Sequence, residues 1–368
     1  MSDPQPHQQP ADHPDSPDPS TNGENKTVTE VETGRQIRHN PITNRDVIIA
    51  PLRGGRPRQT DAAPNEPPAE RHPDCPFCPG QEERLPRIID ERPAPGNEGP
   101  WQTRVVPNKY PALVPAPPQP SPPAADAPEP LHRREAAAGR QEVVIESPVH
   151  GRDLADLSVP ALEAVIATYQ SRLTALRASG DRLIPFLFRN YGSEAGASLA
   201  HPHSQLIATR LVPAPVEDEE TRAQAHYAST GRCLYCDIVR TEAAGPRVVA
   251  VTEGFLAFVP FAAEAPCEMV LLPTGHQARF VEMGEGPRRA FAKLLGRTLR
   301  ALRSACGDPA YNFYLRTPAT PGADLESLHW YLRVVPRTKV EAGFELSTGL
   351  SINPSSPEAD AAHLRAHC

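Results

Sequence analysis

One pattern occurs twice in this chain, and it constrains the fold more than any other feature. Cys75 and Cys78 form a Cys-x-x-Cys pair in HPDCPFCPG, and Cys233 and Cys236 form another in GRCLYCDIV. After the first pair come a strand-like run with a histidine, QEVVIESPVHG (His150), an amphipathic helical stretch at 153–179, a strand-like LIPFLFRNYG, and then His201. After the second come CEMVLLPTGH (His276), a helical stretch at 282–305, AYNFYLRT, and then His329. The two histidines lie 51 positions apart in the first half (150 to 201) and 53 in the second (276 to 329). Apolar residues recur at three and four along both helical stretches, as a helix covering one face of a sheet requires. The order predicts an internal duplication of an α+β unit in which antiparallel strands carry the histidines.

Each half therefore supplies two thiolate and two imidazole donors, the set that tetrahedral zinc prefers, with the Cys-x-x-Cys turn bringing both sulfurs to one ion. Cys75, Cys78, His150 and His201 are assigned to one Zn2+, and Cys233, Cys236, His276 and His329 to a second. Four protein ligands close a site, so both are expected to be structural, each contributing on the order of 10 kcal/mol to folding. Of the seven cysteines, Cys267, Cys306 and Cys368 have no such partner in the pattern and are read as small buried hydrophobes or tail residues.

Once His201 is spent on metal, His203 in GASLAHPHSQL is free, and on a strand it points to the same side as His201 and Gln205. Upstream, Gly192, Ser193, Gly196 and Ser198 are small residues that let backbone N–H groups approach an anion. No serine or cysteine occupies a comparable focal point. A neutral imidazole attacks phosphorus well near pH 7, which points to a nucleophilic His203 with Ser198 and Gln205 on the phosphate oxygens. The spacing alone equally fits a histidine that merely supports the metal ligand.

Composition narrows the partners. A net charge of −7 gives no support to nucleic-acid binding through phosphate contacts. No apolar run approaches the ~18–20 residues of a membrane span, and no signal pattern opens the chain, so a cytoplasmic protein without membrane attachment is expected. Residues 1–35 are poor in large apolar side chains and are expected to be a disordered tail. Many of the 46 prolines fall in that tail, at 61–79 and at 115–130, the last read as a long loop inside the first domain.

GASLAHPHSQL resembles the active-site motif of the galactose-1-phosphate uridylyltransferase branch of the histidine-triad superfamily. RHNPITNRDVIIAPLRGGRPRQ (38–59), DCPFCPG, RVVPNKYPAL (104–113), ESPVHGRDLADLS (146–158) and VEAGFELSTGLSINP (340–354) resemble that family in the same order, covering about residues 36–355. The resemblance implies an α+β fold of two tandem histidine-triad-like halves, each an antiparallel sheet with covering helices. The halves would be 36–212, carrying the active-site motif, and 213–355, with 356–368 a C-terminal tail. It implies a catalytic His203 with Gln205, a nucleotide and phosphate site from Arg53, Arg56, Asn108, Asn190, Ser198 and Gln205, and a sugar site from Phe344 and Glu345. Nucleotide-sugar and sugar-phosphate substrates and a homodimer follow from the same likeness. The activity implied is transfer of UMP from UDP-glucose to a hexose 1-phosphate through a covalent nucleotidyl-His203.

Three positions depart from the family pattern. Ser204 stands where glycine is common, Lys109 stands where an acidic residue would hold a ribose, and Tyr331 stands opposite His203 in the second half, so only one half can carry a covalent step. HSQ and LHWYL also resemble ADP-glucose phosphorylase, which passes an adenylyl group to phosphate. A histidine-triad hydrolase would need a His-x-His-x-His triad, and its third position here is Gln205. In a non-enzymatic zinc-stapled binding module, His-Pro-His would be purely structural.

Overall fold

The computed structural model describes residues 36–51, 70–94, 99, 101–115 and 137–368. The expected tail 1–35, the arginines Arg53 and Arg56 and most of the proline-rich 115–130 stretch lie outside the described residues. From the first half come β3 (Asp90–Arg92), β4 (Thr103–Pro107), β5 (Gly139–Ile145), β6 (Ile184–Tyr191) and β7 (His203–Thr209). The second contributes β8 (Val248–Thr252), β9 (Phe255–Phe258), β10 (Met269–Pro273), β11 (Tyr311–Arg316) and β12 (Tyr331–Pro336). They join in one antiparallel sheet in the order β3-β4-β5-β7-β6-β11-β12-β10-β9-β8. The order reads the same from either edge once each strand is replaced by its mate in the other half. The duplication is thus a pseudo-twofold sheet closed at the β6–β11 pairing, where Asn190 faces Asn312 and Arg189 faces Phe313. Residues 35–368 form one compact unit.

Burial along the strands explains why they sit where they do. On β11 the pattern alternates, with Tyr311, Phe313 and Leu315 buried. On β10 all five residues are buried, because both faces are covered: Met269 and Leu271 face the main core, Val270 and Leu272 a second cluster. The main core is built by α1 (Val159–Arg177) and α4 (Glu285–Cys306) lying on one face of the sheet. Ser158 caps α1 by accepting from the Ala161 amide, with Pro160 in the first turn. The helices can pack closely because α4 has Gly296 at the crossing, where an added Cβ would lie 2.7 Å from Leu162 Cδ1. The opposite face of the second half is covered by α2 (Ala214–Thr230) and α3 (Leu234–Glu242), which carry Ala223, Leu234, Tyr235 and Val239 into the second cluster. Among the described residues no helix is long and apolar enough to cross a membrane.

A smaller sheet joins β1 (Gln36–His39) and β2 (Asp46–Ile49) to β13 (Ser351–Asn353), with β13 parallel to β2. Before β13 lies a one-turn helix, α5 (Gly343–Thr348), and after it α6 (Pro357–Ala366).

One expectation is corrected. Residues 356–368 are not a free tail: Ser356 caps α6, Pro357 opens it, and Ala361 and Leu364 are fully buried in the main core. The alternation of small and polar residues there hides an apolar stripe only two side chains wide. Cys267 is buried in the main core and Cys306 packs against it, as read for small hydrophobes, and the two meet as free thiols with sulfurs 3.2 Å apart.

Because Leu364 fills the core from the last helix, Leu364→Ala is expected to cost about 2–5 kcal/mol. Urea denaturation would show a lowered midpoint with the slope retained; an unchanged midpoint would mean that α6 contributes nothing to the fold.

Candidate active site

Both Cys-Cys-His-His sets predicted from spacing converge, each with its four ligand atoms within 4.8 Å of one another. In the first, His201 Nδ1 lies 3.7 Å from the sulfurs of both Cys75 and Cys78, and His150 Nδ1 lies 3.6 Å from Cys78 Sγ. In the second, His329 Nδ1 is 4.0 and 3.9 Å from Cys233 and Cys236, and His276 Nδ1 is 3.6 Å from Cys236. Metal–ligand bonds of about 2.1 and 2.3 Å at a tetrahedral angle put donors about 3.6 Å apart, so both clusters could hold a metal ion. The other ring nitrogens settle the tautomers. His201 Nε2 donates to the Ser147 carbonyl at 2.8 Å, His276 Nε2 to Leu325 at 3.1 Å and His329 Nε2 to Pro273 at 3.2 Å. Each of these leaves Nδ1 as a lone pair toward the sulfurs, as a metal ligand requires. Burial, with the neighbouring Cys78 adding to it, pushes the Cys75 thiol up to about 11. A thiolate there needs the compensating charge that a cation supplies.

His203 opens β7 two residues beyond His201 and is nearly as buried. Its Nδ1 lies 2.8 Å from the His201 carbonyl oxygen. A carbonyl can only accept, so Nδ1 carries the proton and Nε2 presents a free lone pair. Burial lowers the pKa of His203 below its ordinary value, favouring that neutral ring. Phe77, between the two first-half cysteines, sets its ring edge-on to both His201 and His203, with centroids 5.9 and 5.5 Å away. Beside His203, Gln205 Oε1 accepts from Gln141 Nε2 at 3.0 Å, which leaves the Gln205 amide N–H groups free to donate outward. Gln141 Oε1 in turn accepts from the Ala112 amide at 2.9 Å, tying the turn after β4 to the same platform. Asn108 begins that turn, its Oδ1 accepting from the Tyr110 amide at 2.8 Å.

Asn190 shares this face of the sheet from β6. Its Oδ1 accepts from Asn312 Nδ2 at 2.8 Å, and the same Asn312 amide donates to the Ala195 carbonyl at 2.9 Å. A second-half residue therefore positions both Asn190 and the 3-10 turn Ser193–Ala195. That turn starts at Gly192, where φ is +81° and a Cβ would lie 2.8 Å from Ala310 Cβ, so only glycine fits. Ser198 lies exposed in the loop that follows.

The reverse face of β7 holds a buried network that spacing did not reveal. Arg189 pairs with Glu146 (2.9 Å) and Asp153 (2.8 Å), all three nearly solvent-free. Tyr169 donates to Glu146 at 2.6 Å, Ser204 donates to the same carboxylate, and Tyr311 of the second half donates to Asp153. Burial raises the pKa of Asp153, and the adjacent Arg189 opposes that shift. Ser204 thus belongs to the support beneath the strand, on the side away from His203.

Phe344 and Glu345 sit on α5, Phe344 exposed and Glu345 capping its own helix through the Ala342 amide at 3.1 Å. Among the described residues no hydrogen bond, ion pair or ring contact joins them to His203. In the second half Tyr331 takes the place of His203, its hydroxyl buried against Glu219 at 2.9 Å.

A pseudo-twofold sheet with a Cys-Cys-His-His cluster in each half and a His-x-His strand in one of them defines an α+β protein of two tandem histidine-triad-like halves. The model of the galactose-1-phosphate uridyl transferase N-terminal domain matches residues 25–213. ADP-glucose phosphorylase of Arabidopsis thaliana is 30% identical over 327 residues, covering 88% of this chain and 90% of that protein. Galactose-1-phosphate uridylyltransferase of Thermotoga maritima is 27% identical over 339 residues, covering 90% of this chain and 98% of that protein. The crystal structure of the Arabidopsis thaliana ADP-glucose phosphorylase with bound ADP-glucose superposes with a TM-score of 0.76 at 28% identity, over 90% of this chain and 98% of that one. The chain belongs to the galactose-1-phosphate uridylyltransferase family of nucleotidyltransferases.

If each cluster holds one ion, elemental analysis of the purified protein gives two metal ions per chain, falling by one in Cys75→Ser and by one in Cys233→Ser. A parent protein with a single ion would contradict the paired assignment.

Proposed function

We propose that this protein transfers a nucleotidyl group from a nucleotide sugar in two steps through His203. The observation that carries the reading is the hydrogen bond from His203 Nδ1 to the His201 carbonyl, which aims an unprotonated Nε2 outward beside the free N–H groups of Gln205. In the first step Nε2 bonds to the α-phosphorus as the bond from that phosphorus to the bridging oxygen breaks, and the sugar phosphate leaves with the electron pair. In the second, an acceptor oxygen attacks the same phosphorus and returns Nε2 to its free state. Gln205, Ser198 and the amides of the 192–198 loop are assigned to the phosphate oxygens, where charge develops. Asn108 and Asn190 are assigned to the nucleotide, and Arg53 and Arg56 to the diphosphate through bidentate contacts.

Zinc is the proposed metal in both clusters, from the S2N2 donor set. When bound it supplies rigidity without an open coordination position. Held this way, His201 fixes the carbonyl that orients His203.

Two donors fit. Transfer of AMP from ADP-glucose to phosphate is supported by the likeness to the Arabidopsis thaliana enzyme and by Lys109, which is exposed where a ribose-holding carboxylate would be expected. Transfer of UMP from UDP-glucose to a hexose 1-phosphate is supported by His-Pro-His itself and by the Thermotoga maritima relative. Ser204 favours neither, because its hydroxyl is spent on Glu146.

Phe344 and Glu345 are assigned to the sugar, offered across a homodimer interface. The segment that carries them exposes Val340, Phe344 and Leu346, at 90%, 45% and 73%, which fits coverage by a second copy. Light scattering is expected to give a dimer, and Leu346→Lys a shift toward monomer; a monomeric parent protein would remove this part of the proposal.

Mass spectrometry after incubation with ADP-glucose or UDP-glucose alone is expected to find an AMP or UMP adduct on His203, discharged by phosphate or by a hexose 1-phosphate respectively. His203→Asn is expected to abolish the adduct, and Gln205→Leu to slow its formation by about 10²–10³-fold, the usual loss on removing one donor to a developing oxyanion. An adduct from neither donor, or one on another residue, would overturn the mechanism.

A further inference from the structure

The pseudo-twofold sheet gives every residue of the candidate active-site floor a mate in the second half. In the first half Val143 pairs with both Val106 and Gln205; in the second, Val270 pairs with both Phe258 and Arg333. The amide pair Gln141–Gln205 (3.0 Å) becomes the ion pair Glu268–Arg333 (2.7 Å), and His203 becomes Tyr331. Above these mates lies a cavity of about 430 Å³, walled by Phe258, Phe261 and Val270, by Ile238 of α3, and by the loop 39–43 between β1 and β2. It relates to the second Cys-Cys-His-His cluster as the candidate active site relates to the first.

The walls are firm. Asn40 Oδ1 accepts from the amides of Ile42 and Thr43 at 2.9 and 3.1 Å, and Arg222 Nε donates to the Ile42 carbonyl at 3.0 Å. The volume lies within the ~300–1,000 Å³ of small-molecule sites. Its electrostatics differ from what a phosphate needs. Arg333 is consumed by Glu264 and Glu268, and Arg247 by Glu242 and Glu358. Asp237, also on the lining, is paired with Arg232 and Arg240. One buried hydroxyl, Thr43 Oγ1, has no hydrogen-bond partner.

We propose that this second cleft binds an uncharged nucleoside and performs no chemistry on it. The inference rests on the reading of the first cleft as a nucleotide site. Duplication supplies a slot for a flat heterocycle, the apolar walls stack on its faces, and Thr43 offers a contact to a ring nitrogen or carbonyl. The arginines already consumed by carboxylates leave no cation for a phosphate, which disfavours a phosphorylated form. Tyr331, locked on Glu219, provides no nucleophile.

The test is calorimetric titration of the full-length protein with adenosine and with uridine, repeated with AMP and UMP, on the parent, Ile238→Trp and Thr43→Val. At least one nucleoside is expected to bind. Ile238→Trp, which fills the cleft, is expected to remove a binding component, and Thr43→Val to weaken the same component by about 2–12-fold, the worth of one hydrogen bond. That component is expected to take the nucleoside at least about tenfold more tightly than its monophosphate, one close like-charge contact being worth that much. Adduct formation on His203 is expected to be unchanged in both variants and reports that they are folded. No nucleoside binding, binding indifferent to Ile238→Trp, or an Ile238-dependent component that prefers the monophosphate would each overturn the inference. Nucleoside binding of the expected kind without any His203 adduct would instead remove the proposed transferase reading and leave this cleft standing.

Discussion

The pairing of β6 with β11 holds the rest of the molecule in place. On one face of this seam Asn312 reaches across to Asn190 and to the Ala195 carbonyl. On the other face Tyr311 donates to Asp153, which also pairs with Arg189. A strand of the second half thus fixes both the loop above His203 and the charged support below it. Three nearly solvent-free ionised groups are costly to bury unless every partner is in place, and losing one typically costs about 3–5 kcal/mol. The first-half site consequently depends on the second half being folded, although the second half has no histidine at the equivalent position.

Duplication explains the asymmetry between the clefts better than it explains their likeness. Two copies of one floor began from the same register, and a few side chains drove them apart. Gln205 and Gln141 are neutral, so together they offer outward N–H groups without a fixed charge. Arg333 and Glu268 at the same positions satisfy each other inward and leave nothing to donate. His203 has an unprotonated nitrogen because a carbonyl takes its only proton, whereas Tyr331 gives its proton to Glu219. The Cys-Cys-His-His clusters, by contrast, match between the halves in ligand type, and His201 and His329 share one tautomer.

Legibility from sequence followed range along the chain. The two ligand sets were readable because Cys-x-x-Cys and the histidine intervals repeat, and β5, β6, β10 and β11 fell where apolar runs placed them. That His203 and Gln205 share one face was suggested by period-two alternation, and β7 places them so. The support network was not readable: Arg189 lies 43 positions from Glu146 and 122 from Tyr311, and neither interval carries a local signature. The same holds for Cys267 with Cys306, 39 positions apart. The last helix was missed because its buried stripe is two residues wide, and the tie of Ser204 to Glu146 because 58 positions separate them.

The proline between the histidines acquires a physical role once these parts are assembled. Pro202 has no N–H to offer, and its carbonyl accepts from the Glu146 amide at 3.1 Å. It therefore ties the approach to β7 to the end of β5. The His201 carbonyl accepts from His203. His201 is anchored on three sides, through Nδ1 toward two sulfurs, through Nε2 to Ser147, and through its backbone to His203. A side chain whose only acceptor is so fixed has its own ring orientation set before any ligand arrives, the preorganisation that the proposed nucleophile needs with its target about 3–3.5 Å away.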